Sequence, residues 1–119
     1  MTSRPKTIFL DIDGTLLKHH GNQHDIFNNE PEILPGVIDK LKEWDSQGYN
    51  IILVTGRRKS TRKLTEQQLD KLGIFYDELI MGIGGGQRVL INDLKPNSDE
   101  NTAISVCVNR NEGFKNLKI

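Results

Sequence analysis

The sequence predicts an α/β fold, a Rossmann-like three-layer sandwich around a mainly parallel sheet. Short apolar runs at residues 7–10, 49–54, 88–91 and 103–108 indicate strands. These runs are almost continuously apolar, which is typical of strands buried on both faces of a parallel sheet. Segments with helical periodicity separate the earlier strands, and this alternation indicates a right-handed parallel arrangement.

Two amphipathic helices are predicted on either side of the second strand. In residues 34–48, Pro35 suits a first helical turn, apolar residues recur at helical spacing, and Gly48 suits the carboxyl-terminal stop. Residues 59–73 repeat this pattern, with leucines roughly on one face and a glycine at the end. Both helices would pack on the predicted sheet.

Length and charge limit the domain count and the classes of partner. The chain of 119 residues fits one small domain, predicted to span residues 1–119. Its 16 Lys and Arg residues balance 16 Asp and Glu residues, which argues against nucleic acid or an anionic membrane as a partner. The apolar runs are too short for a membrane span or a signal peptide. We therefore expect a cytoplasmic protein, with the lone Cys107 as a buried structural thiol.

Two segments do not fit a simple alternation of strands and helices. Residues 18–32 are polar and rich in turn formers, so we expect a loop or flap beside the end of the first strand. Its histidines, His19, His20 and His24, either contact substrate or are solvated. Residues 81–88 are rich in glycine and too short for a crossover helix, so they form either an extended connection or a hairpin.

Two aspartates follow the first predicted strand directly. Residues two apart in a strand point to the same side, so Asp11 and Asp13 would present their carboxylates together. Like charges at close range are costly unless a cation or a shared proton compensates for them. Ligands of parallel α/β sheets bind outside the carboxyl ends of the strands, where this pair lies. The alternative is that both are solvent-exposed acids of a turn.

Other motifs that contain similar residues do not match. A calcium-binding EF-hand loop has glycine at its sixth position, where this sequence has Leu16. A phosphate-binding loop requires Gly-Lys-Ser/Thr, which is absent. The glycines before Arg88 do not complete a dinucleotide fingerprint, because Gln87 occupies the last glycine position.

Polar residues follow three of the predicted strands. Asp11 and Asp13 follow the first strand, Thr55 and Gly56 the second, and Asp93 the third. In a parallel sheet these groups would converge on one edge, where three carboxylates suit Mg²⁺ with waters and a substrate phosphate. The Thr55 hydroxyl and the backbone N–H groups of the following turn, at Gly56 and beyond, would attract the same phosphate.

Three stretches, FLDIDGTL, ILVTGR and VLINDLKPN, resemble the first, second and fourth motifs of the haloacid dehalogenase (HAD) superfamily. The resemblance covers residues 6–108 and implies a HAD-like fold with no full cap domain. It assigns Asp11 as the nucleophile that forms an aspartyl-phosphate, and Asp13 as the general acid, with its backbone carbonyl on Mg²⁺. It also implies that Thr55 holds the phosphoryl oxygens and that Asp93 completes the metal site.

One family motif is missing. Members usually carry a lysine between the second and fourth motifs, where this sequence has GIGGGQR. Arg88 begins the strand that would end at Asp93, and five residues would place it about 16 Å away. Lys95 is therefore the preferred replacement, and Arg57, also a candidate substrate-binding residue, and Lys59 are further candidates.

The resemblance implies a Mg²⁺-dependent phosphatase that hydrolyses a phosphomonoester, with a small sugar phosphate or related metabolite as the expected substrate. Without a full cap the site would be open, or a neighbouring subunit of a homo-oligomer would close it. Two alternatives stay open. One is a weakly active or non-catalytic domain that binds metal or phosphate for regulation, and the other is a polynucleotide-end phosphatase.

Overall fold

A computed structural model describes residues 4–22 and 28–119. The strands are β1 (Thr7–Leu10), β2 (Asn50–Val54) and β3 (Glu78–Ile80), and the helices are α1 (Val37–Ser46) and α2 (Arg62–Lys71). A short 3-10 helix, Lys59–Thr61, precedes α2. The predicted α/β class is confirmed.

The three strands form one parallel sheet in the order β1-β2-β3. Leu10 lies opposite Leu53, and Val54 lies opposite Ile80. Because all three strands run in the same direction, their carboxyl ends meet at one edge. This edge carries the residues that follow β1 and β2 in the sequence.

The helices differ slightly from the predicted ranges. Helix α1 begins at Val37, because Gly36 takes a left-handed backbone with φ of 76° immediately before it. Its buried face consists of Val37, Leu41 and Trp44. In the second predicted helix the first turn is a 3-10 turn, and α2 begins at Arg62. Both helices therefore exist where helical periodicity predicts them.

The carboxyl-terminal segment, defined as residues 109–117, packs against the body of the domain without forming a helix or strand. Phe114 is 1% exposed, and its ring centroid lies 5.8 Å from that of Trp44. The Phe114 backbone N–H donates to the Pro35 carbonyl at 2.8 Å. Gly113 has φ of 78°, and a Cβ atom there would collide with the Pro35 carbonyl. Glycine at this position permits the close approach.

Two predicted strands, residues 88–91 and 103–108, are wrong. The arm, defined as residues 84–107, contains turns and bends but no helix or strand. Val89 is 74% exposed and Ile91 is 87% exposed. A strand forms only when its backbone groups pair with a neighbour, and no described strand pairs with the arm. Cys107 is also exposed, which corrects the expected buried thiol.

The ends of the predicted flap approach each other. The Lys18 backbone N–H donates to the Glu32 carbonyl at 2.8 Å, and Leu17 forms a bridge with Ile33. His24, one of the flap histidines, lies outside the described residues. Within the described parts of the chain, no helix is long and apolar enough to cross a membrane.

Candidate active site

The three residues that follow β1, Asp11, Ile12 and Asp13, differ in their exposure to solvent. Ile12 is fully buried, whereas Asp11 on one side of it is exposed and Asp13 on the other is partly buried. The Ile12 carbonyl accepts hydrogen bonds from the N–H groups of Leu16 and Leu17 at 2.9 and 3.0 Å. Ile12 is thus buried between two less buried aspartates, as the alternation of a strand predicts.

The pKa of Asp11 is raised above its ordinary value of 3.8. Partial burial of the carboxyl group is the main cause, and the negative charge of Asp13 adds to it. The Ile12 backbone N–H, Arg88 and His19 act in the opposite direction and lower the pKa. Asp11 is therefore an acid at a solvent-accessible position whose surroundings disfavour its charge, as is common at functional sites.

Asp13 is held by a buried arginine. The Arg57 Nε and Nη2 atoms donate to the two carboxylate oxygens of Asp13, each at 2.8 Å. The remaining Arg57 nitrogen, Nη1, donates to the Thr65 hydroxyl at 3.2 Å and to the Gln68 amide oxygen at 2.7 Å. A two-pronged arginine–carboxylate pair is geometrically specific, so Arg57 fixes the orientation of Asp13.

This arrangement changes the role expected of Arg57. Its side chain is only 3% exposed, and its guanidinium contacts Asp13 and helix α2. A buried guanidinium that is already bound to a carboxylate is not available to a substrate phosphate. In the described conformation Arg57 is a positioning residue rather than a substrate-binding residue or the substitute for the missing lysine.

Thr55 and Gly56 lie at the end of β2, as predicted. Thr55 is 1% exposed, and its hydroxyl oxygen accepts a hydrogen bond from the Arg57 backbone N–H at 3.1 Å. A Cβ atom on Gly56 would lie 3.0 Å from the Ile83 carbonyl, so the backbone runs closely past this point. The contacts of both residues with a substrate stay predictions.

Among the described residues, Arg88 supplies positive charge that acts on Asp11, whereas Lys95 does not contribute to the shift in its pKa. The expected separation of Arg88 from the site assumed a straight strand from Arg88 to Asp93, and that strand does not form. The Arg88 guanidinium instead folds back, donating to the Gly84 and Gly86 carbonyls at 2.8 and 2.7 Å. Its charge lies close enough to lower the pKa of Asp11. Lys95 lies exposed on the arm.

Asp93, the expected third metal ligand, also lies exposed on the arm. Among residues 4–22 and 28–119, no group of three His, Cys, Asp or Glu residues could hold a metal ion. Both oxygens of the Asp13 carboxylate are occupied by Arg57, which leaves Asp11 as the open carboxylate. The described conformation therefore does not provide a complete Mg²⁺ site.

The carboxyl-terminal segment reaches the site, which the motifs did not indicate. The Asn111 backbone N–H donates to the Gly14 carbonyl at 2.9 Å, and the Asn111 side-chain oxygen accepts from the His19 N–H at 2.7 Å. Arg110 lies over Gly14, with its Cγ atom 3.2 Å from the position that a Cβ would take there. The run NRNEG marks a turn, which is the only local signal of this segment.

Residues 8–88 match the family model described as "PITM 1-3, LNS2 domain". The match covers more than half of the chain. The chain belongs to the LNS2 domain family. The matched range includes β1, β2, β3 and both helices, together with Asp11, Asp13 and Arg57.

Curated relatives of this LNS2 domain are phosphatases by name. It is 37% identical over 78 residues to the D-glycero-beta-D-manno-heptose-1,7-bisphosphate 7-phosphatase of Escherichia coli strain K12, with 65% of this chain and 40% of that protein covered. The Haemophilus influenzae protein of the same name is 36% identical, with 60% of this chain and 47% of that protein covered. The chain spans less than half of the length of these relatives.

Solved structures support the fold. A chain of the Pnkp1/Rnl/Hen1 complex is 35% identical, with a TM-score of 0.56 over 75% of this chain and 32% of that chain. A Vibrio cholerae protein is 23% identical, with a TM-score of 0.52 over 76% of this chain and 84% of that chain. Together with the curated relatives, these similarities confirm the predicted HAD-like fold and membership of the HAD superfamily.

Proposed function

We propose that this domain is a phosphatase that hydrolyses a phosphomonoester through an aspartyl-phosphate on Asp11. The observation that carries this proposal is the pairing of an open carboxylate, Asp11, with a second carboxylate, Asp13, that Arg57 holds in a fixed orientation. Arg88 places positive charge near Asp11, where an anionic phosphate would approach. The names of the curated relatives support the same class of reaction.

The reaction needs two steps at Asp11. In the first, an Asp11 oxygen attacks phosphorus and the bond to the leaving oxygen breaks. Asp13 donates a proton to that oxygen, which requires that its carboxyl group be protonated and turned away from the ion pair with Arg57. In the second, a water oxygen attacks phosphorus while Asp13 accepts a proton from the water, and the bond from phosphorus to Asp11 breaks. Phosphate leaves, and both carboxyl groups return to their starting states. Positioning of these groups is the main contribution of the protein to such a step.

The proposed substrate is a small phosphorylated sugar or a related metabolite. The curated relatives are named for a heptose bisphosphate, and Asp11 is solvent-accessible in the described structure. Dependence on Mg²⁺ is part of the proposal, although one chain in the described conformation does not complete a metal site.

Phosphate release from a panel of substrates tests the proposal. The panel contains heptose 1,7-bisphosphate, hexose monophosphates and an aryl phosphate, each with Mg²⁺ and with a chelator. Asp11→Asn should reduce release by about 10³-fold or more, because it removes the nucleophile. The matched control is Asp39→Asn, which changes an exposed acid in the first turn of α1 and should leave release unchanged. If the unaltered chain releases no more phosphate than Asp11→Asn on every substrate, the domain is not a phosphatase of this kind.

A polynucleotide end is the second candidate substrate. The chain of the Pnkp1/Rnl/Hen1 complex is 35% identical to this one, and a further structure names that assembly an RNA repair complex. The balanced charge of the chain disfavours tight binding to nucleic acid. Adding 5′- and 3′-phosphorylated oligonucleotides to the panel distinguishes the two candidates. If phosphate is released preferentially from an oligonucleotide end, the polynucleotide end replaces the sugar phosphate as the proposed substrate.

A further inference from the structure

Arg110 is an exposed arginine at the edge of the candidate active site. The guanidinium of Arg57 is bound to Asp13, and that of Arg88 is bound to backbone carbonyls. Within the part of the chain that the structure describes, Arg110 has no hydrogen bond or ion pair. Its side chain is exposed, and its Cγ and Nε atoms lie beside Gly14, one residue after Asp13.

The backbone around Arg110 is fixed rather than loose. Asn111 joins the carboxyl-terminal segment to the Asp13–Gly14 turn through its backbone and to the flap through its side chain. Three residues further on, Phe114 is buried in the core. Anchoring the backbone immediately after Arg110 reduces the conformational freedom that Arg110 loses when it binds a ligand.

His19 contributes a second donor on the same side of Gly14. Its Cβ atom lies 3.7 Å from the position that a Cβ would take on Gly14, and its Nδ1 accepts a hydrogen bond from the Gly21 N–H at 3.0 Å. Because Nδ1 is an acceptor, the other ring nitrogen, Nε2, carries the proton and is a donor. Arg110 and His19 therefore flank the turn that follows the two aspartates.

The turn at Gly14 leaves space between Arg110 and His19 for a group of the substrate. Gly14 has φ of 91° and is buried, so it adds no side chain to the space between Arg110 and His19. A guanidinium and an imidazole N–H are both donors, and the guanidinium matches the geometry of a phosphate or carboxylate. Asp11 is the open carboxylate for the reacting phosphoryl group, so the donors at Gly14 are available to another part of the same substrate.

We propose that Arg110 is a specificity-determining residue that, with His19, binds a second anionic group on the phosphomonoester substrate. The second group is a phosphate or a carboxylate, placed on the part of the substrate that leaves. This inference rests on the proposed phosphatase function for its kinetic test, but the binding test below does not require turnover.

Paired substrates that differ in one anionic group provide the kinetic test. Fructose 1,6-bisphosphate is compared with fructose 6-phosphate, and 6-phosphogluconate with glucose 6-phosphate. Arg110→Gln should lower kcat/KM for the doubly anionic member of a pair by about 10- to 100-fold, mainly through KM, because a charge-assisted contact is lost. The singly phosphorylated member should change less than about twofold, and Arg110→Lys should recover part of the loss. Which pair responds identifies the second group as phosphate or carboxylate.

The matched control is Lys115→Gln, which removes an exposed positive charge from the same segment without touching Gly14. It should leave the discrimination between paired substrates unchanged. An equal loss on both members of each pair in Arg110→Gln would contradict the inference, as would an unchanged ratio. Thermal unfolding of each variant separates a loss of binding from a loss of folding.

Direct binding separates this inference from the proposed function. Calorimetry with fructose 1,6-bisphosphate and 6-phosphogluconate on the Asp11→Asn chain should show binding by one of them that Arg110→Gln weakens by about 10-fold or more. If no substrate of the panel is hydrolysed but this binding difference persists, the phosphatase proposal fails and the anion subsite stands. If both ligands bind the Arg110→Gln chain as tightly as its parent, the subsite is excluded.

Discussion

Two neighbouring segments lack both helix and strand, yet they lie in opposite environments. On the arm, Ile91 is 87% exposed, whereas Phe114 in the carboxyl-terminal segment is 1% exposed. The arm has the more apolar, strand-like sequence, with runs RVLI and AISVCV. The carboxyl-terminal segment is mostly polar. Whether one of these segments packs against the rest of the domain therefore depends on the contacts available to it, and not on how apolar its sequence is.

The difference has a specific physical basis. In the carboxyl-terminal segment the backbone N–H groups of Asn111 and Phe114 donate to carbonyls of the body, and Gly113 permits the approach to Pro35. The arm lacks such bonds to the body over most of its length, and its three consecutive glycines have no neighbouring atoms within 4 Å of a Cβ position. A backbone bonded to fixed carbonyls is held without regular secondary structure.

The largest expected difference in stability is between a variant of Phe114, which is buried, and a variant of Ile91, which is exposed. Phe114→Ala should lower the free energy of unfolding by about 3–5 kcal/mol, because it leaves a cavity beside Trp44. Ile91→Ala should change it by less than about 0.5 kcal/mol. Urea unfolding of dilute protein measures both changes. A comparable loss in Ile91→Ala would show that the arm is packed in solution, as it would be if a neighbouring subunit covered it.

The next contrast compares two arginines near the candidate active site. Arg57→Gln should cost about 3–4 kcal/mol of unfolding free energy, because it leaves the partly buried Asp13 carboxylate without its ion pair. Arg88→Gln should cost less than about 0.5 kcal/mol, because the arginine lies on the exposed arm. Chemical denaturation of the two variants at neutral pH gives both values. Equal losses of unfolding free energy in the two variants would show that the stability of the rest of the domain depends on the arm.

The strand ends that the sequence predicts correctly depend on local signals. The apolar run of β1, the alternation at Ile12 and the break at Gly14 all lie within a few residues, and together they place Asp11 and Asp13 at the sheet edge. Signals of the same kind, the apolar run of β2 and the glycine at position 56, locate Thr55 after β2. In each case the residues nearby in sequence are enough to predict where the residue lies in the fold.

The features that the sequence does not predict depend on distant residues. The contact of His19 with Asn111 joins residues 92 positions apart, and nothing in either stretch specifies the other. The arm fails as a pair of strands for the same reason, because strand formation depends on a neighbouring strand as well as on apolar residues. The burial of Arg57 is set by Thr65 and Gln68 on α2, whose orientation the motif ILVTGR does not contain.

A smaller contrast is expected between two glycines. Gly113→Ala should cost about 2–3 kcal/mol, because alanine is strained at positive φ and its Cβ would collide with the Pro35 carbonyl. Gly85→Ala on the arm has open space and should be neutral within about 0.5 kcal/mol. Thermal unfolding of both variants is sufficient. A neutral Gly113→Ala would mean that the carboxyl-terminal segment is not held at Pro35.

The smallest expected effect is electrostatic and reports whether the arm touches the body at Arg88. The pKa of Asp11 is raised mainly by burial, and Arg88 lowers it, so Arg88→Gln should raise the pKa further. Carboxyl carbon chemical shifts, followed by nuclear magnetic resonance across an acid titration of dilute, metal-free protein, measure the change. An unchanged Asp11 pKa in Arg88→Gln would show that the arm does not hold Arg88 beside Asp11 in solution.

The sign of the accompanying stability change follows from the direction of the shift. Because the folded-state pKa of Asp11 lies above its unfolded value, the folded chain binds more protons between the two values, and stability falls as the pH rises through that interval. Asp11→Asn removes this loss, so at neutral pH it should raise the unfolding temperature. The gain should disappear below the unfolded pKa. A carboxylate that weakens the fold in this way is what a functional site would show if reactivity were favoured over stability.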